Sequence, residues 1–495
     1  MSAARRARSA LRRVPVAAWW CAAVAFANVT AWSLVTPPLH VPDETAHVAY
    51  VQHLASHAEP PNEPGGPVYA SAETALIDSL GFIPTFGRPE NHVIWYSDLD
   101  EQVDAAADRE LPSDNGGGIQ SNSNQPPLYF ALESLVYHAS PWDGLLERLA
   151  LMRLLSALLA GLTTLFVFMF LREVLAERWT WTVGALAVAF QPTFGFISGG
   201  VHNDALLFTA SAALFFALAR AFRRGLTVER GLGIGAALAV GALAKLNFVA
   251  LIPGALVGLG LLGWRAGAVR PALRGVAAAT GVLAAGALAY IAINLLIWDR
   301  RAWGGGIETA AVNATGGPAG VPGIGLTEQL GYTWQLYAPR LPFMNDQFVN
   351  FPPYSTWFKG FIGVFGWLDT SWDEWVYRLA LGVAIPLILL AALALWRRRA
   401  TLVERWPELV TYAVMTAGLL GSIGFLGIRY RKDTGFAFEQ ARYLLPLLPL
   451  YATGVALAAL GAGKRLGRPL GAALVVLALG HGVFAQLLVI ARFYA

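Results

Sequence analysis

Apolar positions along the chain gather into long runs broken by short polar turns. About 20 such residues suffice to cross a bilayer core as a helix. The runs are Val16–Val35, Leu149–Leu171, Trp179–Ser198, Ala205–Phe222, Gly231–Leu243, Phe248–Trp264, Val276–Ile297, Val376–Trp396, Leu409–Ile428, Tyr443–Leu460 and Ala472–Ile490. They predict an all-α, polytopic protein of about eleven transmembrane helices. Gly231–Leu243 is short for a span, and Gln125–Ala139 is read as a helix lying in the outer interface.

Basic residues give the expected orientation. Arg5, Arg6, Arg8, Arg12 and Arg13 precede the first span, and Arg172, Arg178, Arg223, Arg224, Arg265, Arg270, Arg397 to Arg399, Lys464, Arg465 and Arg468 fall in every second turn. The positive-inside rule puts those turns in the cytoplasm. Ala25-Phe26-Ala27 has the form of a signal-peptidase site, but it lies within the apolar run. The first span is therefore expected to be a retained anchor. The resulting plan is a cytoplasmic basic N-terminus (1–14), a transmembrane module (15–297) that includes an outer loop (37–148), a second outer loop (298–375) and C-terminal transmembrane helices (376–495), with interfacial helices in the loops.

Composition agrees with that plan. The chain is 56% hydrophobic and only 14% charged, with mean hydropathy +0.50, which excludes an ordinary soluble domain. Its net charge of +4 follows from the basic turns and implies no nucleic-acid partner. The single cysteine, Cys21, excludes an intramolecular disulfide and a cysteine metal site.

The outer loops differ in character. The first is rich in Pro, Asn, Asp and Gly, and a run such as Asp114-Asn115-Gly116-Gly117-Gly118 predicts a mobile stretch. The second carries Trp303, Trp334, Tyr337, Trp357, Phe358, Trp367, Trp372 and Trp375. Such aromatics form either an interfacial belt or a platform on which a sugar ring stacks.

Polar residues near membrane depth cluster on the outer side: Asp43, Glu44 and His47 after the first span, His202, Asn203 and Asp204 in one turn, Lys245 and Asn247 in another, and Arg429, Arg431, Lys432 and Arg442 around a third. The midplane holds little but His481, which reads as a packed, hydrogen-bonded histidine. A transporter places ionisable groups along its path, so the distribution favours a site at the outer surface. The outer cations either snorkel to lipid headgroups or grip the phosphate of a lipid-linked substrate. Arg442, at the head of an apolar span, is the best placed of them. A helix from Pro42 to about Ser56 puts Asp43 and His47 on one face with Glu44 beside them. The acidic pair then either complements the helix N-terminus or does chemistry. Asp43 and Glu44 can deprotonate a hydroxyl, and Asp43, Glu44 and His47 can hold a divalent cation such as Mg or Mn. A sugar on a lipid phosphate leaves as an anion needing no second acid, unlike a glycosidase substrate.

The acidic pair after the first span, Pro126-Pro127-Leu128-Tyr129 opening the next membrane-associated helix, and a short span ending in Ala242-Leu243-Ala244-Lys245 resemble the GT-C glycosyltransferases, which use polyprenyl-phosphate sugars outside the membrane. Within that superfamily the chain most resembles a bacterial membrane-protein family of unknown function. The shared pattern is Pro42-Asp43-Glu44 with His47, Asn203-Asp204-Ala205, Phe365-Gly366-Trp367-Leu368-Asp369, and Gln440-Ala441-Arg442-Tyr443 ending in Pro446. The resemblance implies a GT-C-like architecture, with Asp43 as general base of an inverting transfer and Glu44 orienting the acceptor or helping to hold a metal. It implies substrate contacts at Lys245 and Arg442, and leaves open the roles of His47, His202, Asn203, Asp204, Asp369 and Tyr443 in substrate binding. The chain shows no large C-terminal periplasmic domain of the kind several cell-wall arabinosyltransferases carry, which leaves the acceptor open. The expected function is transfer of a sugar from a polyprenyl phosphate to a glycan, lipid or protein of the envelope, at the outer face of a bacterial cytoplasmic membrane. A carrier or flippase for a lipid-linked saccharide, or a non-catalytic scaffold, are the alternatives.

Overall fold

The structure, a computed structural model, describes residues 14–81, 97–120, 122–304, 324–348, 352–434 and 439–494. The basic residues Arg5, Arg6, Arg8, Arg12 and Arg13 lie outside them. Helix α1 (Val16–Val35) is followed by four short helices, α2 (Glu44–His57), α3 (Ser71–Ser79), α4 (Ser97–Ala107) and α5 (Leu128–Ala139), and then by the long α6 (Leu145–Val174). The next pair, α7 (Arg178–Ala189) and α8 (Pro192–Ser198), is one run bent by 58°. Pro192 has no N–H to continue the ladder, and the Gln191 side chain caps the new start by accepting from Phe194 N at 2.5 Å. Helices α9 (Asp204–Arg224), α10 (Val228–Ala244), a 3-10 turn with α11 (Ile252–Trp264) and α12 (Val269–Leu296) follow. The second loop holds α13 (Leu326–Tyr337), one π-helical turn (Ser355–Lys359), α14 (Gly360–Gly363) and a two-residue hairpin, β1 (Val364–Phe365) with β2 (Thr370–Ser371). The chain closes with α15 (Glu374–Arg397), α16 (Arg399–Glu404), α17 (Trp406–Thr434), a 3-10 turn (Ala441–Leu447) leading into α18 (Leu448–Gly461), and α19 (Gly463–Tyr494).

Nine of these helices are long and apolar enough to cross a membrane, or ten if the bent pair is one span, counted among the described residues. The difference from the expected eleven rests on α10, which has 17 residues, about 26 Å at 1.5 Å per residue. Both of its ends nevertheless meet the ends of α9. Arg230 donates to Arg224 O at 2.5 Å, and Lys245, just past its other end, reaches Asp204 at 2.7 Å. Helix α10 therefore runs the full height of its neighbour. It packs on α12 backbone to backbone: a Cβ at Gly231 would lie 2.1 Å from Gly275 O, and one at Gly235 would lie 2.5 Å from Ala279 O. Such small-residue contacts let helices approach closely where lipid supplies no hydrophobic drive.

The two ends of the bundle differ. At one, cations tie helix ends together: Arg224 to Glu173 at 3.0 Å, Arg398 to Glu177 at 2.6 Å, and Arg405 to Val174 O at 2.9 Å. The other end carries the short helices α2 to α5. There the Asp114–Gly118 run is fixed by hydrogen bonds rather than mobile: Asn115 Oδ1 accepts from Ser71 N at 2.9 Å, Gly117 O from Glu63 N at 3.1 Å, and Gly116 O from His53 Nδ1 at 3.1 Å. Some of the loop aromatics pack on other rings, while Trp334 and Trp375 stay exposed. Trp357 stacks on Tyr337 with centroids 5.4 Å apart, Phe358 on Tyr354 at 5.3 Å, and Trp303 meets the edge of Tyr290 at 6.1 Å. His481 donates to Ile362 O at 2.6 Å, a packed histidine as expected.

Candidate functional site

Between α1 and α2 the chain turns sharply. Leu39 and Asp43 both take left-handed backbone, with φ 64° each. Helix α2 starts two residues later than the Pro42 to Ser56 helix expected from the sequence, so Asp43 stands just outside it and its side chain does not cap it. That geometry sends the two neighbouring carboxylates in different directions.

Asp43 turns toward the 3-10 turn before α18. Its Oδ2 accepts from Arg442 Nη2 at 2.6 Å, and Arg442 Nη1 donates to His202 Nε2 at 2.8 Å. His202 Nδ1 accepts from Asp204 N at 3.0 Å and lies 3.4 Å from Asp204 Oδ2, and Asp204 Oδ1 accepts from Lys245 Nζ at 2.7 Å. The result is a continuous polar chain, Asp43–Arg442–His202–Asp204–Lys245, drawn from segments far apart in sequence. His47 adds its ring 4.3 Å from that of His202, over Phe130 at 5.5 Å, and its Nδ1 is buried without a partner. Asn203 Nδ2 donates to Ala244 O at 3.4 Å and so ties the start of α9 to the end of α10. Asp43 is the more accessible member, its side chain 32% accessible, whereas that of Arg442 is 6% accessible.

Glu44 is not part of this chain. It is fully buried and held by Arg153 through two bonds, Nε to Oε1 at 2.8 Å and Nη2 to Oε2 at 2.6 Å, with Val201 N donating to Oε1 at 2.9 Å. Arg153 also donates to Ser33 O and Thr36 O, each at 2.9 Å. The pair therefore pins the end of α1 to α6 and to the His202 turn. A bidentate Arg–carboxylate pair of this kind is strongly directional. It also answers the expected divalent-cation set. Asp43 faces a guanidinium, Glu44 faces another, and among the described residues no three His, Cys, Asp or Glu side chains converge to hold a metal ion. The donor set of Asp43, Glu44 and His47 does not fit one.

Electrostatics follow from burial and these partners. Burial works against the charge on Asp43, but Arg442 and the two imidazoles hold its carboxyl well below the usual carboxylate range. Burial pushes His47 well down and His202 down, against the pull of their carboxylates, and lowers the Lys245 ammonium against the pull of Asp204.

Beside Arg442 lies a cavity of about 250 Å³. Arg442, Lys359, Ser355, Thr356 and Gln440 give it polar walls, and Pro42, Phe196, Ile197, Val364 and Leu368 apolar ones. Arg442 keeps a buried Nε–H without a partner. Lys359 ends the π-helical turn, a backbone irregularity frequent at functional sites. Side chains of the α8 segment satisfy the carbonyls next to it: Thr193 Oγ1 donates to Gly360 O at 2.9 Å and Gln191 Nε2 to Phe361 O at 2.8 Å.

The family described as "Predicted membrane protein (DUF2142)" matches residues 26–451. The chain belongs to that family. No curated protein sequence matches the chain. Among solved structures, an oligosaccharyltransferase from Archaeoglobus fulgidus in the apo form is similar at 13% identity and TM-score 0.47. The same enzyme tethered by a disulfide bond to an acceptor peptide containing the NVT sequon is similar at 11% identity and TM-score 0.41. Each comparison covers 96% of this chain and 56% or 55% of the other, so the DUF2142 chain spans little more than half the length of that enzyme.

Of the residues singled out in this family member's sequence, the structure brings together Asp43, His47, His202, Asn203, Asp204, Lys245 and Arg442. Tyr443 follows directly and its ring lies 5.4 Å from the Arg442 guanidinium. Asp369 is not in the chain; its Oδ1 braces a turn by accepting from Trp367 N at 3.1 Å. Lys245 faces Asp204 and is absent from the cavity wall. Arg431 and Lys432 engage the second loop, at Gln347 O and at Glu328. Sequence reasoning missed Arg153 and Lys359. An arginine inside the apolar run Leu149–Leu171 is itself a signal for a buried partner; a single lysine among loop aromatics carries none.

Proposed function

We propose that this DUF2142 protein is a membrane glycosyltransferase that moves a sugar from a polyprenyl phosphate to an acceptor of the cell envelope, at the outer face of a bacterial cytoplasmic membrane. The observation that carries this reading is the convergence of Asp43, His202, Asp204, Lys245 and Arg442 at one end of the bundle, beside a cavity with Arg442 and Lys359 in its wall.

Asp43, the accessible carboxylate, takes the proton of the acceptor hydroxyl as that oxygen attacks the anomeric carbon. The sugar–phosphate bond breaks with its electron pair going to the phosphate, which leaves as an anion on Arg442 and Lys359. No second acid is required, because a phosphate departs unprotonated. Single displacement inverts the sugar centre. Lys245 and Asp204 orient His202, and His202 orients the Arg442 fork. Arrival of the donor anion draws Arg442 away from Asp43, and a carboxylate relieved of its cation is a stronger base. Positioned general bases contribute about 10²–10⁴ in rate. Glu44 has a structural part, fixing the turn that presents Asp43.

The test is turnover by the full chain in proteoliposomes supplied with a radiolabelled polyprenyl-phosphate sugar and envelope acceptors. Free polyprenyl phosphate should accumulate as label enters acceptor. Movement of intact lipid-linked sugar across the bilayer, with its bond uncleaved, would instead identify a carrier.

A further inference from the structure

The Gly366-Trp367-Leu368-Asp369 run has no part in the chemistry above, yet it borders the same cavity. It joins β1 to β2, with Asp369 N donating to Phe365 O at 3.2 Å. Asp369 Oδ1 accepts from Trp367 N at 3.1 Å and Thr370 Oγ1 at 3.3 Å. Gly366 has φ 60°, and a Cβ there would lie 2.2 Å from Asp369 Oδ1, so the brace requires glycine. What the brace holds is Leu368. Its φ is 65°, a left-handed backbone that costs a residue with a Cβ roughly 1 kcal/mol. Its side chain is 51% exposed and lines the cavity.

Asn or Gly would sit in that backbone with less strain, and a polar side chain would suit the exposure better. The turn nevertheless fixes an apolar side chain there, where Phe196, Ile197 and Val364 continue the apolar wall. Arg442 and Lys359 are the cations of that wall and Glu439 its carboxylate, with Lys359 paired to Glu374 at 2.5 Å until an anion competes for it. A ligand that fills such a space is itself amphipathic, with an anion at one end and hydrocarbon at the other.

We propose that Leu368 seats the apolar chain of a lipid phosphate whose headgroup lies toward Arg442 and Lys359, so that the cavity selects lipid-linked over water-soluble phosphates. This rests on the reading of those two cations as the phosphate site.

The test uses the full chain in detergent, with undecaprenyl phosphate and inorganic phosphate as separate probes in native mass spectrometry. Leu368→Asn, which tolerates the left-handed backbone, should keep the thermal midpoint of the parent. It should weaken undecaprenyl phosphate about tenfold, the scale of one lost apolar side-chain contact, and leave inorganic phosphate unchanged. Leu368→Met should bind both as the parent does. Undecaprenyl phosphate binding unaltered in Leu368→Asn, or an equal loss of both probes, would overturn the proposal. Arg442→Ala separates the two readings: if it binds both probes normally while Leu368→Asn still loses the lipid, the phosphate site is misplaced and the chain contact stands.

Discussion

Asp43 and Glu44 are adjacent, yet one ends in an accessible ion pair with Arg442 and the other in a closed one with Arg153. That an acidic pair stood just past the end of the first span was legible. Which of the two pairs with Arg442 and stays accessible was not, because the answer depends on a left-handed backbone at Asp43 that no local pattern announces. The histidines of this region make a separate prediction. His40, His47 and His202 are all buried, and burial is the leading cause that lowers each, His40 to about 4. The unfolded chain therefore binds protons that the native one does not, so stability rises with pH across the window between the folded values and the ordinary 6.5. Lowering the pH from about 7.5 to about 5.5 should cost on the order of 1 kcal/mol through His40 alone. Thermal melts at the two pH values check it, and His40→Gln should flatten part of the difference.

Most helices were legible as elements, since a run of about 20 apolar residues admits few other structures in a bilayer. What the runs hid were their interruptions. The break at Gln191 and Pro192 splits what reads as one span, although the proline marked it. The π-helical turn that presents Lys359 depends on carbonyl partners, Thr193 and Gln191, supplied from a distant segment. The glycine-rich run at Asp114–Gly118 reads as mobile only while its partners Ser71, Glu63 and His53 are unknown. Helix α10 shows the same dependence, its short span being accommodated by close packing on α12. Gly235→Leu would drive a side chain into the Ala279 backbone. It should destabilise the protein by about 1–3 kcal/mol, the usual range for overpacking, seen as a lower thermal midpoint. Gly233→Leu, which meets open space, should melt as the parent does.

At the scale of the molecule, sidedness organises everything else. Arg172, Arg224 and Arg398, all from the basic turns, stand at one end of the bundle with Arg405 beside them, and the Asp43–Lys245 chain stands at the other. A cysteine-accessibility experiment tests the orientation directly. The only native cysteine, Cys21, is buried, so in a Cys21→Ala background a membrane-impermeant maleimide added to intact cells should label Asp143→Cys and spare Arg399→Cys. The reverse pattern would turn the site toward the cytoplasm. The site itself was legible residue by residue but not as a geometry: Asp43 and Arg442 lie 399 positions apart in sequence, and only the packing of the bundle brings them together. The most direct measurement is therefore the initial rate of sugar transfer by Asp43→Asn beside Glu44→Gln, each corrected for folded protein. Asp43→Asn should fold and lose on the order of 10²–10⁴ in rate, whereas Glu44→Gln should lose thermal stability and keep most of its rate per folded molecule. Transfer at the parental rate by Asp43→Asn would contradict the assignment of Asp43 as the base.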